Sequence, residues 1–148
     1  MMDALAMAED LCKRFEGLYL RPYLCPAGVP TIGYGATFYE NGRRVLMTDP
    51  PISKARAEQL LRWHLTRRFI PAVMSLCPGA ETPQQVAALT DFAFNLGEGN
   101  LRTSTLRRKV NAGQWDEVPA QLMRWNKAGG RVLRGLTRRR QAEVDLLS

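Results

Sequence analysis

Glu16-Gly-Leu-Tyr-Leu-Arg-Pro-Tyr-Leu-Cys25-Pro-Ala-Gly-Val-Pro-Thr31-Ile-Gly-Tyr-Gly35 is the stretch in which the periodicity of the chain changes. Ahead of it, Leu5, Ala8, Leu11, Cys12 and Phe15 recur at spacings of three and four, one face of an amphipathic helix over Asp3 to Phe15, and Gly17 is a natural stop for it. Within and beyond it, prolines and glycines alternate with Tyr23, Val29, Ile32, Tyr34, Phe38 and Tyr39, which reads as short strands and tight turns. Asn41-Gly42, between Phe38-Tyr39 and Val45-Leu46, predicts a two-residue hairpin turn with positive φ at both residues. A small antiparallel sheet is therefore expected over about 18–50.

Downstream the helical period returns. Ser53 is a candidate N-cap for a helix carrying Ala57, Leu60, Leu61, His64, Leu65 and Phe69 on one side, and Pro71 is expected to end it. Thr82-Pro83-Gln84-Gln85 joins an N-cap, a proline at the first helical position and a capping-box glutamine, ahead of Val86, Leu89, Phe92, Ala93 and Leu96. Further helices are expected over Ser104 to Asn111, Trp115 to Trp125 before Gly129-Gly130, and Thr137 to Leu147. One helix, a small β region and an all-helical remainder make an α+β protein. The chain has 148 residues, no internal repeat and no long linker, so one domain over 1–148 is expected, with a small β lobe at about 18–50 and a helical lobe from about 1–17 and 53–148.

A content of 45% hydrophobic and 24% charged residues excludes wholesale disorder. No apolar run approaches the roughly 20 residues a spanning helix needs, and acids at Asp3, Glu9 and Asp10 interrupt the start, so neither a membrane anchor nor a signal peptide is expected. Cys12, Cys25 and Cys77 are odd in number and widely spaced, which indicates neither a disulfide framework nor a zinc site, and points to maturation in a reducing cytoplasm. Trp63, Trp115 and Trp125 fall in helical stretches and read as core residues. His64, the one histidine, has no serine elbow to serve, and Gly33-Tyr-Gly35 lacks the third glycine of a dinucleotide fingerprint. No metal and no cofactor are expected. The net charge of +7, with Arg124, Lys127, Arg131, Arg134 and Arg138 to Arg140 clustered late, favours a polyanionic partner: nucleic acid, anionic lipid or an acidic wall polymer.

Glu16 is locally unfavourable. A carboxylate in the last turn of a helix faces the negative end of the macrodipole, where lysine or arginine is preferred, and such conflicts mark functional sites. The dipole and burial against neighbouring aromatics would raise its pKa toward what a general acid requires. The alternative is an exposed terminal acid balanced by Lys13, Arg14 or Arg21.

Three ordered segments resemble the phage T4-type lysozymes, glycoside hydrolase family 24. Members carry a glutamate, eight residues, an aspartate or sometimes a cysteine, five residues and a threonine, and Glu16, Cys25 and Thr31 stand at those spacings. Thr31-Ile-Gly-Tyr-Gly35 also matches, as do Ala88-Leu-Thr-Asp-Phe-Ala-Phe-Asn95-Leu-Gly97 and Trp125-Asn-Lys-Ala-Gly-Gly130, the last followed by Gly135-Leu-Thr-Arg-Arg-Arg140-Gln-Ala-Glu143. The resemblance implies a lysozyme-like fold with a cleft between the two lobes. It also implies hydrolysis of the β-1,4 bond between N-acetylmuramic acid and N-acetylglucosamine in peptidoglycan, without metal or cofactor. Glu16 would protonate the leaving oxygen, Cys25 would stand in the aspartate's place, and Thr31 would help hold the attacking water. Inversion, with about 6.5–9.5 Å between the catalytic groups, follows for such enzymes.

A free thiol has a pKa of about 8.5, so Cys25 supplies less charge and basicity than a carboxylate. It can serve as a thiolate base, as a water-positioning group or as a nucleophile, and the first two are favoured. Cys12 and Cys77 read as small buried hydrophobes. Tyr34 and Asn95 are candidates for substrate binding, and Arg139 or Arg140 for supporting Glu16. The expected role is host lysis by a monomeric endolysin made in the host cytoplasm, which reaches the wall or periplasm through a holin or another release pathway. A lytic transglycosylase, or a non-catalytic basic protein binding nucleic acid or anionic membrane, are the alternatives; nucleic acid is not the expected partner, because apolar residues rather than stacking aromatics interleave the arginines.

Overall fold

The computed structural model describes residues 2–148, apart from the side chain of Met2, so that Met1 of the expected domain lies outside the described residues. Helix α1 spans Met2–Glu16 and buries Ala8, Leu11 and Cys12 of the apolar face read from the sequence, together with Ala4, while Leu5 and Phe15 of that face are half-buried. Gly17 ends it at φ +75°, a conformation strained for other residues. Strands β1 (Tyr19–Leu24) and β2 (Pro30–Gly33) follow as an antiparallel pair, with Tyr23 opposite Thr31, Leu24 opposite Pro30, and a bulge between Tyr19 and Tyr23. They are joined by a turn in which the Gly28 amide donates to the Cys25 carbonyl and the Cys25 amide to the Val29 carbonyl.

The Asn41-Gly42 turn differs from expectation. Only Gly42 has positive φ, and the Tyr39 amide donates to the Arg43 carbonyl across Glu40-Asn41-Gly42, a three-residue loop with glycine in the left-handed position. It closes a single bridge between Phe38 and Arg44 rather than extended strands. Ile32, Ala36, Val45 and Leu60 form a separate small core beneath this lobe.

Helix α2 (Lys54–His64), capped by Ser53, leaves the small lobe. Pro71, which the sequence predicted would end the helix, does not end the helical path. The chain widens into a π-turn over Leu65–Phe69, with the Ile70 amide donating to the Leu65 carbonyl, and continues as α3 (Ile70–Leu76). Proline near the start of α3 has no N–H to donate and its ring crowds the preceding turn, and the wider turn accommodates both.

Helix α4 (Pro83–Leu96) carries the predicted capping box from Thr82 and Gln85, and Val86 through Phe92 and Ala93 are all buried. A helix buried all round belongs at the centre of a core, and α4 packs against α1, α3, α5 and α8. The remaining helices are α5 (Glu98–Arg102), which the sequence did not foretell, α6 (Thr105–Asn111), α7 (Val118–Met123), shorter than predicted, and α8 (Arg134–Leu147), three residues longer at its start. The remainder is not wholly helical. Gly129-Gly130, expected to stop a helix, has positive φ at both residues and turns a short hairpin of β3 (Lys127–Ala128) and β4 (Arg131–Val132). Trp125 packs edge-on to Phe92, their ring centres 5.3 Å apart.

Candidate active site

A cleft of about 350 Å³ is lined by Glu16, Cys25, Thr31 and Asn95 together with Phe38, His64 and Arg68. Glu16 is the last residue of α1, and Arg139 Nη1 lies 2.5 Å from its Oε2. That guanidinium supplies the positive charge that the helix end withholds. The other oxygen lies against Gly35, where a Cβ would stand 2.7 Å from Oε1.

Arg139 is held from behind. Its Nε and Nη2 donate to the two carboxylate oxygens of Asp91 at 3.0 and 2.8 Å, and Asp91 is fully buried on α4. Cys12 Sγ donates to the same carboxylate at 3.5 Å. The chain from α4 through α8 to Glu16 is thus bidentate at its buried end, the geometry in which an arginine loses least freedom per bond. The guanidinium also lies 5.6 Å from the centre of the Phe15 ring.

Arg140 does not reach Glu16. It is fully buried and donates from Nη2 to Asn95 Oδ1 at 2.7 Å and to Glu143 Oε2 at 2.9 Å, while Nη1 reaches the Trp125 carbonyl at 3.3 Å. The role foreseen for either arginine toward Glu16 therefore falls to Arg139 alone. Arg140 Nε and Glu143 Oε1 approach to 2.8 Å without the alignment of a hydrogen bond. Glu143 also faces Asp91, and burial followed by this second carboxylate pushes its pKa well above the usual range, whereas Asp91 is held below it.

Cys25 and Thr31 stand on the small lobe. Hydrogen bonding with the Val29 backbone outweighs desolvation, and with that of Ala27 draws the Cys25 thiol below its ordinary pKa, while the Thr31 hydroxyl donates to the Val29 carbonyl at 2.8 Å. Cys12 and Cys77 are buried, and burial raises both thiols, Cys77 to about 11. Tyr34, expected to touch substrate, is instead buried in the main core away from the cleft lining, with the Lys13 ammonium 5.9 Å from its ring centre. Asn95 lines the cleft, its oxygen engaged by Arg140. No cluster of histidine, cysteine and acidic side chains suited to a metal occurs among the described residues.

Sequence reasoning missed Phe38, His64 and Arg68 as cleft residues. His64 had the pattern of an ordinary helix residue, and only the returning small lobe places the Phe38 carbonyl 3.0 Å from its Nε2. Burial lowers its pKa, against the opposing pull of that carbonyl. A histidine harder to protonate when folded contributes its stability in full above about pH 6.5 and loses it as the pH falls toward the depressed folded value. Thermal unfolding of the wild-type chain should show a fall in Tm between pH 7 and 5 that is shallower in His64→Gln; identical slopes would contradict this.

Compared with known proteins, residues 13–143 match the phage lysozyme family. The chain is 38% identical over 141 residues to the endolysin of Acyrthosiphon pisum secondary endosymbiont phage 1, covering 92% of this chain and 91% of that one. It is 37% identical over 137 residues to the endolysin of Bacillus phage B103, covering 93% of this chain and 51% of the relative, so it spans about half the length of that protein. Among solved structures, the endolysin from Escherichia coli O157:H7 phage FAHEc1 superposes with a TM-score of 0.84 at 32% identity, covering 95% of this chain and 89% of the other.

Proposed function

Because the chain belongs to the phage lysozyme family, we propose that it is an endolysin that hydrolyses the β-1,4 bond between N-acetylmuramic acid and N-acetylglucosamine in bacterial peptidoglycan. The observation that carries this reading is the carboxyl of Glu16, clamped at one oxygen by Arg139 and sharing one cleft with Cys25 and Thr31. Asp91 matches the charge of Arg139, so the clamp orients the carboxyl without leaving a net cation beside it. Glu16 gives its proton to the glycosidic oxygen as that bond breaks. A water held at Cys25 and Thr31 forms the new bond at the anomeric carbon from the opposite face, passes its proton to the Cys25 thiolate, and leaves a reducing muramic end of inverted configuration.

The working unit is one monomeric catalytic domain over 1–148, with its small lobe at about 18–50. It is made in the host cytoplasm and meets the wall or periplasm after release through a holin or similar route, needing no metal or cofactor. Among the described residues no helix is long and apolar enough to cross a membrane. Exposed Arg124, Lys127, Arg131, Arg134 and Arg138 draw it to the acidic wall, an attraction that salt weakens. Cys25 in the aspartate's place is the one cleft feature that leans toward a lytic transglycosylase, and the family match favours neither that enzyme nor a non-catalytic basic binder. Release of reducing ends from purified sacculi tests the reading, and folded protein that releases none would overturn it.

Two variants probe the mechanism. Alanine at Gly35 meets Glu16 Oε1 at 2.7 Å and must hold φ near +85°. Displacing a catalytic group by about 1 Å costs about 10²-fold in rate, so Gly35→Ala should lose activity on that order while remaining folded by circular dichroism. For Cys25, the thiolate fraction rises with pH, whereas an aspartate is ionised above about pH 4. Cys25→Asp should therefore show a higher ratio of activity at pH 6 to activity at pH 8 than the wild type; superimposable profiles would exclude the thiolate as base.

A further inference from the structure

Arg68 is placed by the π-turn, and its surroundings set it apart from the other arginines. It lines the same cleft as Glu16 and Cys25. Its guanidinium lies 4.9 Å from the centre of the Phe69 ring and 5.7 Å from that of Phe38, and its side chain keeps 48% of its exposure. Only Nε is engaged, donating to Glu98 Oε1 at 2.8 Å from the first turn of α5. Among the described residues neither terminal nitrogen has a hydrogen-bond partner. Two free nitrogens, a planar group steadied by two aromatic rings, and an opening onto the cleft make a receptor for a planar anion.

Resting on the endolysin reading above, we infer that Arg68 is a substrate-specificity residue: its open Nη edge binds a carboxylate of the acidic peptide carried by the muramic sugar, with Glu98 holding the other edge. Where the lactyl carboxyl of the muramic sugar is amide-linked to its peptide, the glycan offers hydroxyls and amides but no negative charge, and the carboxylates lie on the peptides. Glu98 orients Arg68 and at the same time offsets its charge. Removing one or the other must then have opposite effects on peptide recognition, a relation that a purely structural ion pair would not produce.

The test compares kcat/KM on intact sacculi with kcat/KM on the same sacculi after carbodiimide amidation of their peptide carboxylates. The ratio of the rate on untreated sacculi to that on amidated sacculi should fall about tenfold in Arg68→Gln, the lower end of what a charge-assisted hydrogen bond supplies. It should fall less in Arg68→Lys, which keeps the charge and loses the fork, and it should rise in Glu98→Gln, whose amide oxygen still accepts from Nε while the offsetting charge is gone. A ratio unchanged in Arg68→Gln, or lowered alike in Arg68→Gln and Glu98→Gln, overturns the inference. Failure of the endolysin reading looks different, since wild-type protein would then release no reducing ends from either substrate. Should Arg68→Gln not fold, the opposed responses of Arg68→Lys and Glu98→Gln carry the same decision.

Discussion

Glu16→Gln is expected to lower the release of reducing ends from sacculi by about 10²–10⁴-fold, the range that a general acid contributes. The substitution keeps the shape of the side chain and removes the transferable proton. Its amide oxygen can still accept from Arg139, and the buried end of that arginine remains tied to Asp91 by two hydrogen bonds. The thermal midpoint should therefore change little, which separates loss of chemistry from loss of fold. Activity within a few-fold of wild type at unchanged Tm would remove Glu16 from the mechanism and with it the proposed reaction.

The largest effect on stability is expected at Asp91, which does not line the cleft. Asp91→Ala leaves Arg139, 5% exposed at its side chain, without its bidentate partner, and removes the acceptor of the Cys12 thiol. Breaking a buried ion pair by deleting one partner costs about 3–5 kcal/mol. At about 2–4 °C per kcal/mol for a chain of this size, the midpoint should drop on the order of 10 °C. Activity should fall too, because Arg139 is then free to swing away from Glu16. Replacing both partners, in Asp91→Leu with Arg139→Met, should cost less stability than the sum of the two single changes, since no buried charge is left unmatched. A Tm within about 2 °C of wild type for Asp91→Ala would mean that water or Glu143 replaces the lost carboxylate.

What could be read from the sequence followed the reach of each interaction. Local signals were legible: the apolar face and glycine stop of α1, the capping box of α4, and the conflict of a carboxylate at a helix end. The conflict is resolved by Arg139, 123 positions away, through a buried acid on a third helix. No period or spacing announces that path, although Asp91, the one charged residue in the run from Val86 to Ala93, is the one sign of a buried charge needing a partner. The same limit explains Arg140, indistinguishable from Arg139 by position in sequence and turned by the helix toward Asn95 and Glu143 instead. Tyr34, between two glycines of a matched motif, read as a ligand contact, but its backbone turns the ring into the core. At Pro71 the expected break was absorbed by a π-turn, and that turn is what brings Arg68 to the cleft.

The central claim is tested most directly by mass spectrometry of the fragments released from isolated sacculi, with Glu16→Gln digested in parallel at the same salt and pH. Hydrolysis predicts fragments that each carry one added water and a reducible muramic acid end, and predicts their loss in the variant. Fragments ending only in 1,6-anhydromuramic acid, or the same products from Glu16→Gln as from wild type, would contradict it.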